Sequence, residues 1–177
     1  MKALLIVDMQ KISFKDETPR YDSDGVIQRI NLLSKAFRQN EDKVIFIQHD
    51  GAKDGFCIPG TEEWEILDSI TMTSTDFIVS KTANDSFYKS ALKDELTRSG
   101  IKELIITGCA TDFCVDSTVK SALTNDFDIT VISDAHTTAD RPQLKAREVI
   151  EYYNWIWSEM TPTGGRIKVI DVEKYLN

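Results

Sequence analysis

The chain is short of cysteine, of histidine and of positive charge, and each shortage removes a class of protein. Three cysteines, Cys57, Cys109 and Cys114, cannot all pair within one chain and are too few to staple a secreted scaffold. That usage fits a reducing, cytoplasmic setting. Two histidines, His49 and His136, with no paired Cys-x-x-Cys units, leave a structural zinc site short of its usual ligands, so neither a metal nor another cofactor is expected. Lysine and arginine number 21 against 29 acidic residues, a net charge of -8, so the surrounding field repels polyanions and nucleic acid is not an expected partner. No apolar run approaches the roughly 18 residues of a spanning helix, so no membrane partner is expected. The opening Met-Lys-Ala-Leu-Leu-Ile-Val-Asp meets charge too soon to read as a signal peptide. No glycine-rich phosphate loop follows any strand-like run, which disfavours a nucleotide binder. There is also no repeat, low-complexity tract or linker to divide the chain.

What is present is the composition of an ordinary folded domain, 41% hydrophobic and 28% charged over 177 residues, and a single domain over 1–177 is expected. Six apolar, β-rich runs recur: Ala3 to Val7, Val44 to Ile47, Phe77 to Val79, Leu104 to Ile106, Ile129 to Ile132 and Ile167 to Ile170. They are continuous rather than alternating, the pattern of strands covered on both faces, as in a parallel sheet. Between them Val26, Ile30, Leu33 and Phe37 share one helical face, as do Leu92 and Leu96. Further helices are predicted from about Cys114 to Thr124, and from Pro142, placed in a first turn, to about Trp157. The fold class is therefore α/β, a three-layer α-β-α arrangement around a six-stranded, mainly parallel sheet. The long irregular stretch from His49 to about Asp76 has the length of a functional covering loop.

In such a sheet the ligand crevice lies at the carboxyl ends of the strands. Three reactive side chains fall there. Asp8 follows the first run and is a candidate general base, against the alternative of a capping or ion-paired carboxylate. Lys81 ends the third run, where an isolated lysine is usually solvated. Cys114 follows the fourth run at an expected helix start, whose amides and dipole, together with a nearby lysine, favour thiolate over thiol. Alone it would read as a small buried hydrophobe. Together the three residues form the neighbourhood that an activated nucleophile needs.

Several ordered segments, spread over essentially the whole length, carry a resemblance: Leu-Leu-Ile-Val-Asp-Met-Gln at 4–10, Pro-Gly-Thr-Glu-Glu-Trp at 59–64, Ser-Lys-Thr-Ala-Asn-Asp-Ser-Phe at 80–87, Gly-Cys-Ala-Thr-Asp-Phe-Cys-Val-Asp-Ser-Thr at 108–118 and Ser-Asp-Ala-His at 133–136. The chain resembles the isochorismatase-like cysteine hydrolases, which include nicotinamidases, carbamoylsarcosine amidohydrolases and streptothricin hydrolases. The resemblance implies a Rossmann-like six-stranded sheet and an Asp-Lys-Cys triad at Asp8, Lys81 and Cys114. It also implies a cis peptide between Cys109 and Ala110, and an oxyanion hole made by the amides of Ala110 and Cys114. The implied reaction is cleavage of a small-molecule C–N amide bond through a thioester acyl-enzyme. The alternatives are vinyl ether hydrolysis on the same fold, which the thiol argues against, and a binding module that has lost turnover. Nicotinamidases of this kind carry an Asp-x-His and a further His that bind a metal. Here the corresponding loop reads His49, Asp50, Gly51, so that ligand set is broken and nicotinamide is disfavoured.

Phe14, His49, Phe56, Trp64, Phe87 and Phe113 are the candidates to line a small-molecule pocket, although aromatic residues near strand ends often belong to the core. His136 is expected to stabilise the loop after the fifth strand, and Cys109 to be structural. The run Tyr152-Tyr153-Asn154-Trp155-Ile156-Trp157 holds more aromatic surface than one helix face buries, so a homo-oligomer, a dimer or tetramer, is the expected partner state.

Overall fold

A computed structural model describes residues 1–177. The strands β1 (Lys2–Val7), β2 (Lys43–His49), β3 (Phe77–Lys81), β4 (Glu103–Cys109), β5 (Asp128–Thr137) and β6 (Ile167–Ile170) form one sheet in the order β3-β2-β1-β4-β5-β6. Every pairing is parallel. The order runs outward from β1 in both directions, so the chain reverses its winding between β1 and β4 and opens a crevice at their carboxyl ends.

Alternation along each strand divides the core in two. Ala3, Leu5 and Val7 of β1, with Ile45, Ile47, Leu104, Ile106, Ile129 and Val131, point to one side. There they meet α2 (Leu92–Arg98), α3 (Asp116–Thr124) and α4 (Ala146–Glu159) through Leu92, Leu96, Val119, Ala122 and Trp157. Leu4, Ile6, Val44, Phe46 and Ile105 point to the other side, against Val26, Ile30, Leu33 and Phe37 of α1 (Ser23–Gln39). Val172 and Tyr175 of a short closing helix, α5 (Val172–Leu176), complete that layer. Both faces of the central strands are thus dry, which explains their unbroken apolar sequence.

Two elements depart from the sequence-based expectation. Pro142 lies outside α4, which begins at Ala146. Arg141 is drawn toward Asp112 and Thr138, and its amide closes a turn onto Leu144 O at 2.8 Å. The helix then starts where Asp140 accepts from the Ala146 amide at 2.9 Å and Glu148 accepts from the Lys145 amide at 2.8 Å. The α-helix expected from Cys114 begins only at Asp116, because Thr111–Val115 is a single π turn.

Candidate active site

Asp8 follows β1 with a φ of 46°, a left-handed conformation that aspartate adopts more readily than most side chains. Its amide donates to Ile47 O at 3.0 Å, which ties the turn to β2 while the side chain lines a cavity of about 200 Å³ at the sheet's carboxyl edge. Lys81, at the end of β3, is 1% exposed. Its ammonium Nζ lies 2.7 Å from Asp8 Oδ2, donates to Ala83 O at 2.9 Å, and sits 3.4 Å from Cys114 Sγ and 3.5 Å from His49 Nδ1. Burial alone pulls the ammonium toward neutrality, but Asp8 and then Cys114 outweigh it, and the net displacement of Lys81 is upward. A charged lysine therefore sits beneath the cavity with its donors engaged.

The fourth strand delivers the sulfur. Gly108 has a φ of 119°, and a Cβ there would come within 2.1 Å of Val7 O, so glycine alone lets β4 pass so close to the end of β1. The following peptide, Cys109–Ala110, is cis. The π turn then closes with Val115 N donating to Ala110 O at 3.1 Å. Single π turns recur at functional sites because they displace one residue from helical register. Here the turn is clamped by Arg141, whose Nε and Nη2 donate to the two Asp112 oxygens at 2.7 and 2.9 Å. Burial would raise the Asp112 carboxyl, but Arg141 and Thr138 hold it below the ordinary carboxylate range. Ala110 lines the cavity, and its N–H donates to no backbone carbonyl.

Cys114 Sγ lies 3.6 Å from Asn84 Oδ1, while Asp8 Oδ1 is buried and has no hydrogen-bond partner. The surroundings of the sulfur work against the thiolate that a helix terminus and a nearby lysine would favour. Burial pushes the Cys114 thiol well up, the Asp8 carboxylate adds to the rise, and the Lys81 ammonium opposes it only in part. The resting nucleophile is a thiol beside an unpartnered carboxylate oxygen.

The wall facing this cluster is built on Gln10. Its Nε2 donates to Trp64 O at 2.8 Å and His49 O at 3.1 Å, and its Oε1 accepts from the His49 amide at 2.8 Å, so one buried amide sews the first loop, β2 and the long loop together. His49 stacks on Phe56 with ring centroids 5.6 Å apart, and burial followed by the Lys81 charge lowers its pKa, keeping the imidazole neutral. Phe113 also lines the cavity, with the Arg141 guanidinium 4.9 Å over its ring.

Of the six predicted lining residues, His49, Phe56 and Phe113 meet at the cavity and the other three do not. Phe14 packs on the core layer beneath α1. Phe87 turns inward to Phe127, 5.8 Å away, held by the Ser86–Thr118 hydroxyl contact of 2.7 Å. Trp64 is absent from the lining and acts through its carbonyl, which accepts from Gln10, while its buried indole Nε1 has no hydrogen-bond partner. Gln10, Ile12, Ser13, Cys57 and Asn84 line the space without having been singled out. A signal for two of them was present, since Gln10 follows Asp8 by two positions and Asn84 follows Lys81 by three in segments already marked as motifs. Cys109 is buried, its thiol pushed up to about 11 by desolvation, and all three cysteines are free. No group of three His, Cys, Asp or Glu is arranged to hold a metal ion. A larger groove of about 770 Å³ along α1, lined by residues such as Asn31, Lys35 and Thr73, holds no cysteine, serine, histidine or carboxylate. No helix is long and apolar enough to cross a membrane.

Comparison with known proteins agrees with this architecture. The model of the isochorismatase domain family matches residues 2–161. The streptothricin hydrolase of Streptomyces noursei is 32% identical over 143 residues, 80% of this chain and 56% of that protein. The ureidoacrylate amidohydrolase RutB of Methylorubrum extorquens is 29% identical over 100 residues, 55% of this chain and 40% of that protein. The chain thus spans only about half the length of these relatives. The crystal structure of an isochorismatase family protein superposes with a TM-score of 0.86 at 27% identity, covering 94% of this chain and 97% of that one. With the sheet order, the strand-end cluster and the family match in agreement, the chain belongs to the isochorismatase domain family.

Proposed function

We propose that this protein hydrolyses a C–N amide bond of a small molecule, with Cys114 as nucleophile, Asp8 as proton carrier and Lys81 as the cation that holds both. The observation that carries this reading is the Lys81 ammonium, in contact with Asp8 Oδ2 at 2.7 Å and Cys114 Sγ at 3.4 Å beneath a cavity that a small acyl group fits. Asp8 takes the thiol proton as Sγ bonds to the carbonyl carbon, and the carbonyl π electrons move onto oxygen. The Ala110 and Cys114 amides are the donors assigned to that oxyanion, a contribution of about 3 kcal/mol for each such donor. Collapse breaks the C–N bond, and the leaving nitrogen receives the proton from Asp8. A water then loses its proton to Asp8 as it attacks the thioester, and the departing sulfur recovers that proton. Two relatives are named as a hydrolase and an amidohydrolase, which supports the bond class.

The test is ammonia release from a panel of primary amides and ureido compounds. Cys114→Ala and Asp8→Asn are expected to lose at least about 10³ in kcat while keeping the circular dichroism of the parent. Full turnover by Cys114→Ala would sink the scheme. The protonated resting thiol favours a second reading, a binding module of the same fold, which predicts ligand binding without product. Vinyl ether hydrolysis would draw no benefit from the sulfur. Three free thiols fit a cytoplasmic setting, and a second copy of the chain is the partner that the exposed aromatic face of α4 suggests.

A further inference from the structure

The charges around the cavity say more about the substrate than its shape does. Among the lining residues the only ionised side chain is Asp8, since His49 is neutral and no lysine or arginine faces the space. The nearest cation, Lys81, lies beneath the floor with its donors already given to Asp8, Ala83 O and Cys114. Every other base nearby is engaged or turned away. Lys15 pairs with Glu63, and Lys11 with Glu65 and Asp68. Arg141 beside Phe113 is held by both oxygens of Asp112. Arg20 donates to the Ser13 carbonyl and opens onto a separate cleft. On the loop after His49, Asp50 and Asp54 have no ion-pair partner within reach, and Lys53 between them offsets only one of the two. The floor is a neutral Asp8–Lys81 pair, and the excess charge at the rim is that of carboxylates.

We propose that this cavity excludes anions: the acyl group it accepts is compact and neutral or cationic, bearing no carboxylate, sulfonate or phosphate. The proposal deepens the amidase reading and, for turnover, rests on it. An acidic substituent would lie within a few ångströms of Asp8 with no cation among the lining residues to meet it, and like charges in a partly dry site repel. At about 200 Å³ the space is below the roughly 300 Å³ at which drug-sized pockets begin, so the acyl group it admits is compact. The chain thereby parts from its relative named as a ureidoacrylate amidohydrolase, whose substrate name specifies a carboxylate.

Two small electrophiles of nearly one shape test this without any assumption about turnover. Iodoacetamide and iodoacetate deliver the same carbon, one without charge and one with a negative charge. Alkylation of Cys114 in the intact protein is followed at pH 8 and low salt by mass spectrometry of the Cys114 peptide, and normalised to the same reagents acting on 2-mercaptoethanol. The neutral reagent is expected to be favoured at least about tenfold beyond its advantage on the free thiol, with the preference narrowing in 1 M salt. Ile12→Arg, which sets a cation in the wall, is expected to bring the ratio back toward that of the free thiol. Equal or greater reactivity of iodoacetate with the parent protein overturns the proposal. In parallel, ammonia release from butanamide is compared with release from succinamate. Preference for succinamate also overturns the proposal, whereas absence of Cys114-dependent release from every amide, neutral or charged, refutes the amidase reading and leaves the alkylation ratio to decide the charge rule.

Discussion

His136 gives the sharpest test of how the site is supported. It is 1% exposed, with Nδ1 2.8 Å from Thr111 Oγ1, Nε2 3.0 Å from Asn154 Oδ1, and the ring edge-on to Trp157 at 5.1 Å. Asn154 Nδ2 donates to Ser133 O at 2.9 Å, which turns Oδ1 toward the imidazole. Nε2 therefore carries the hydrogen, and Nδ1 accepts the hydroxyl proton of Thr111, the first residue of the π turn that holds Cys114. Burial lowers the pKa to about 4, against the bond to Asn154, from an ordinary value of 6.5. Because the folded value lies below the unfolded one, the unfolded chain binds a proton below pH 6.5 that the folded chain refuses. The stabilisation is complete above pH 6.5 and is lost as pH falls toward 4. The loss totals about 3 kcal/mol, of which roughly 2 kcal/mol is gone by pH 5. Urea unfolding of the parent and of His136→Gln at pH 8, 7, 6 and 5 isolates this imidazole from the carboxylates, since the difference between the two curves cancels their titration. The advantage of the parent is expected to shrink by about 2 kcal/mol between pH 8 and pH 5. A difference that stays flat over that window would refute the assignment of a buried, neutral histidine.

Three further outcomes follow from the same geometry. Lys81→Met leaves Asp8 buried without its cation and should cost about 3–5 kcal/mol in urea unfolding, with a parent-like midpoint counting against the buried pair. Alkylation of Cys114 by iodoacetamide should climb about tenfold per pH unit through pH 7 to 9, because burial and Asp8 keep the thiol protonated; a rate already level at pH 6 would contradict this. On the outer face of α4, Trp155 and Tyr152 are 58% and 52% exposed with rings 5.9 Å apart, so the chain should sediment as an oligomer and Trp155→Glu as a monomer; a monomeric parent at tens of micromolar would dismiss the patch as an interface.

The sheet was legible because burial on both faces keeps the strand centres almost wholly apolar, Thr130 with its unpartnered hydroxyl being an exception, and six nearly continuous runs resulted. The strand ends were less legible. β4 continues through Thr107 and Gly108 to Cys109, and β5 through Ser133 and Asp134 to Thr137, beyond the apolar runs. Polar residues are accepted there because each finds a partner, Thr107 Oγ1 on Leu5 O at 2.9 Å and His136 between Thr111 and Asn154. A bulge where Gly108 pairs with His136 lets β5 reach the site, and no hydrophobic period announces it. Asp8, Lys81 and Cys114 could be placed at one rim from topology, since each follows its own strand. Which aromatic residue faces the cavity depends on tertiary contacts such as Phe87 with Phe127, which single-chain patterning does not encode. The influences on the sulfur divide in the same way: the helix terminus is visible in sequence, whereas the burial and the carboxylate that oppose it are products of folding.

The opposed influences on the sulfur define a variant in which reactivity and turnover separate. In the parent, Asp8 raises the Cys114 thiol while Lys81 lowers it, and Lys81 Nζ touches both groups. Moving the proton from sulfur to Asp8 exchanges one pair with the ammonium for another, so no net charge enters or leaves the cavity and the cost is only the difference between the two pairings. Asp8→Asn removes the charge that opposes the thiolate and leaves a buried ammonium with no counterion but the sulfur. The thiol should therefore ionise more readily, and iodoacetamide should alkylate Cys114 in Asp8→Asn faster at pH 7 than in the parent, by about tenfold for each unit the thiol falls. Turnover should fall all the same, because asparagine can neither take the proton from sulfur nor return one to the leaving nitrogen. Slower alkylation of Asp8→Asn than of the parent, in a variant that remains folded, would mean that Asp8 supports the thiolate rather than opposing it, and the proposed division of roles between the carboxylate and the ammonium would have to be reversed.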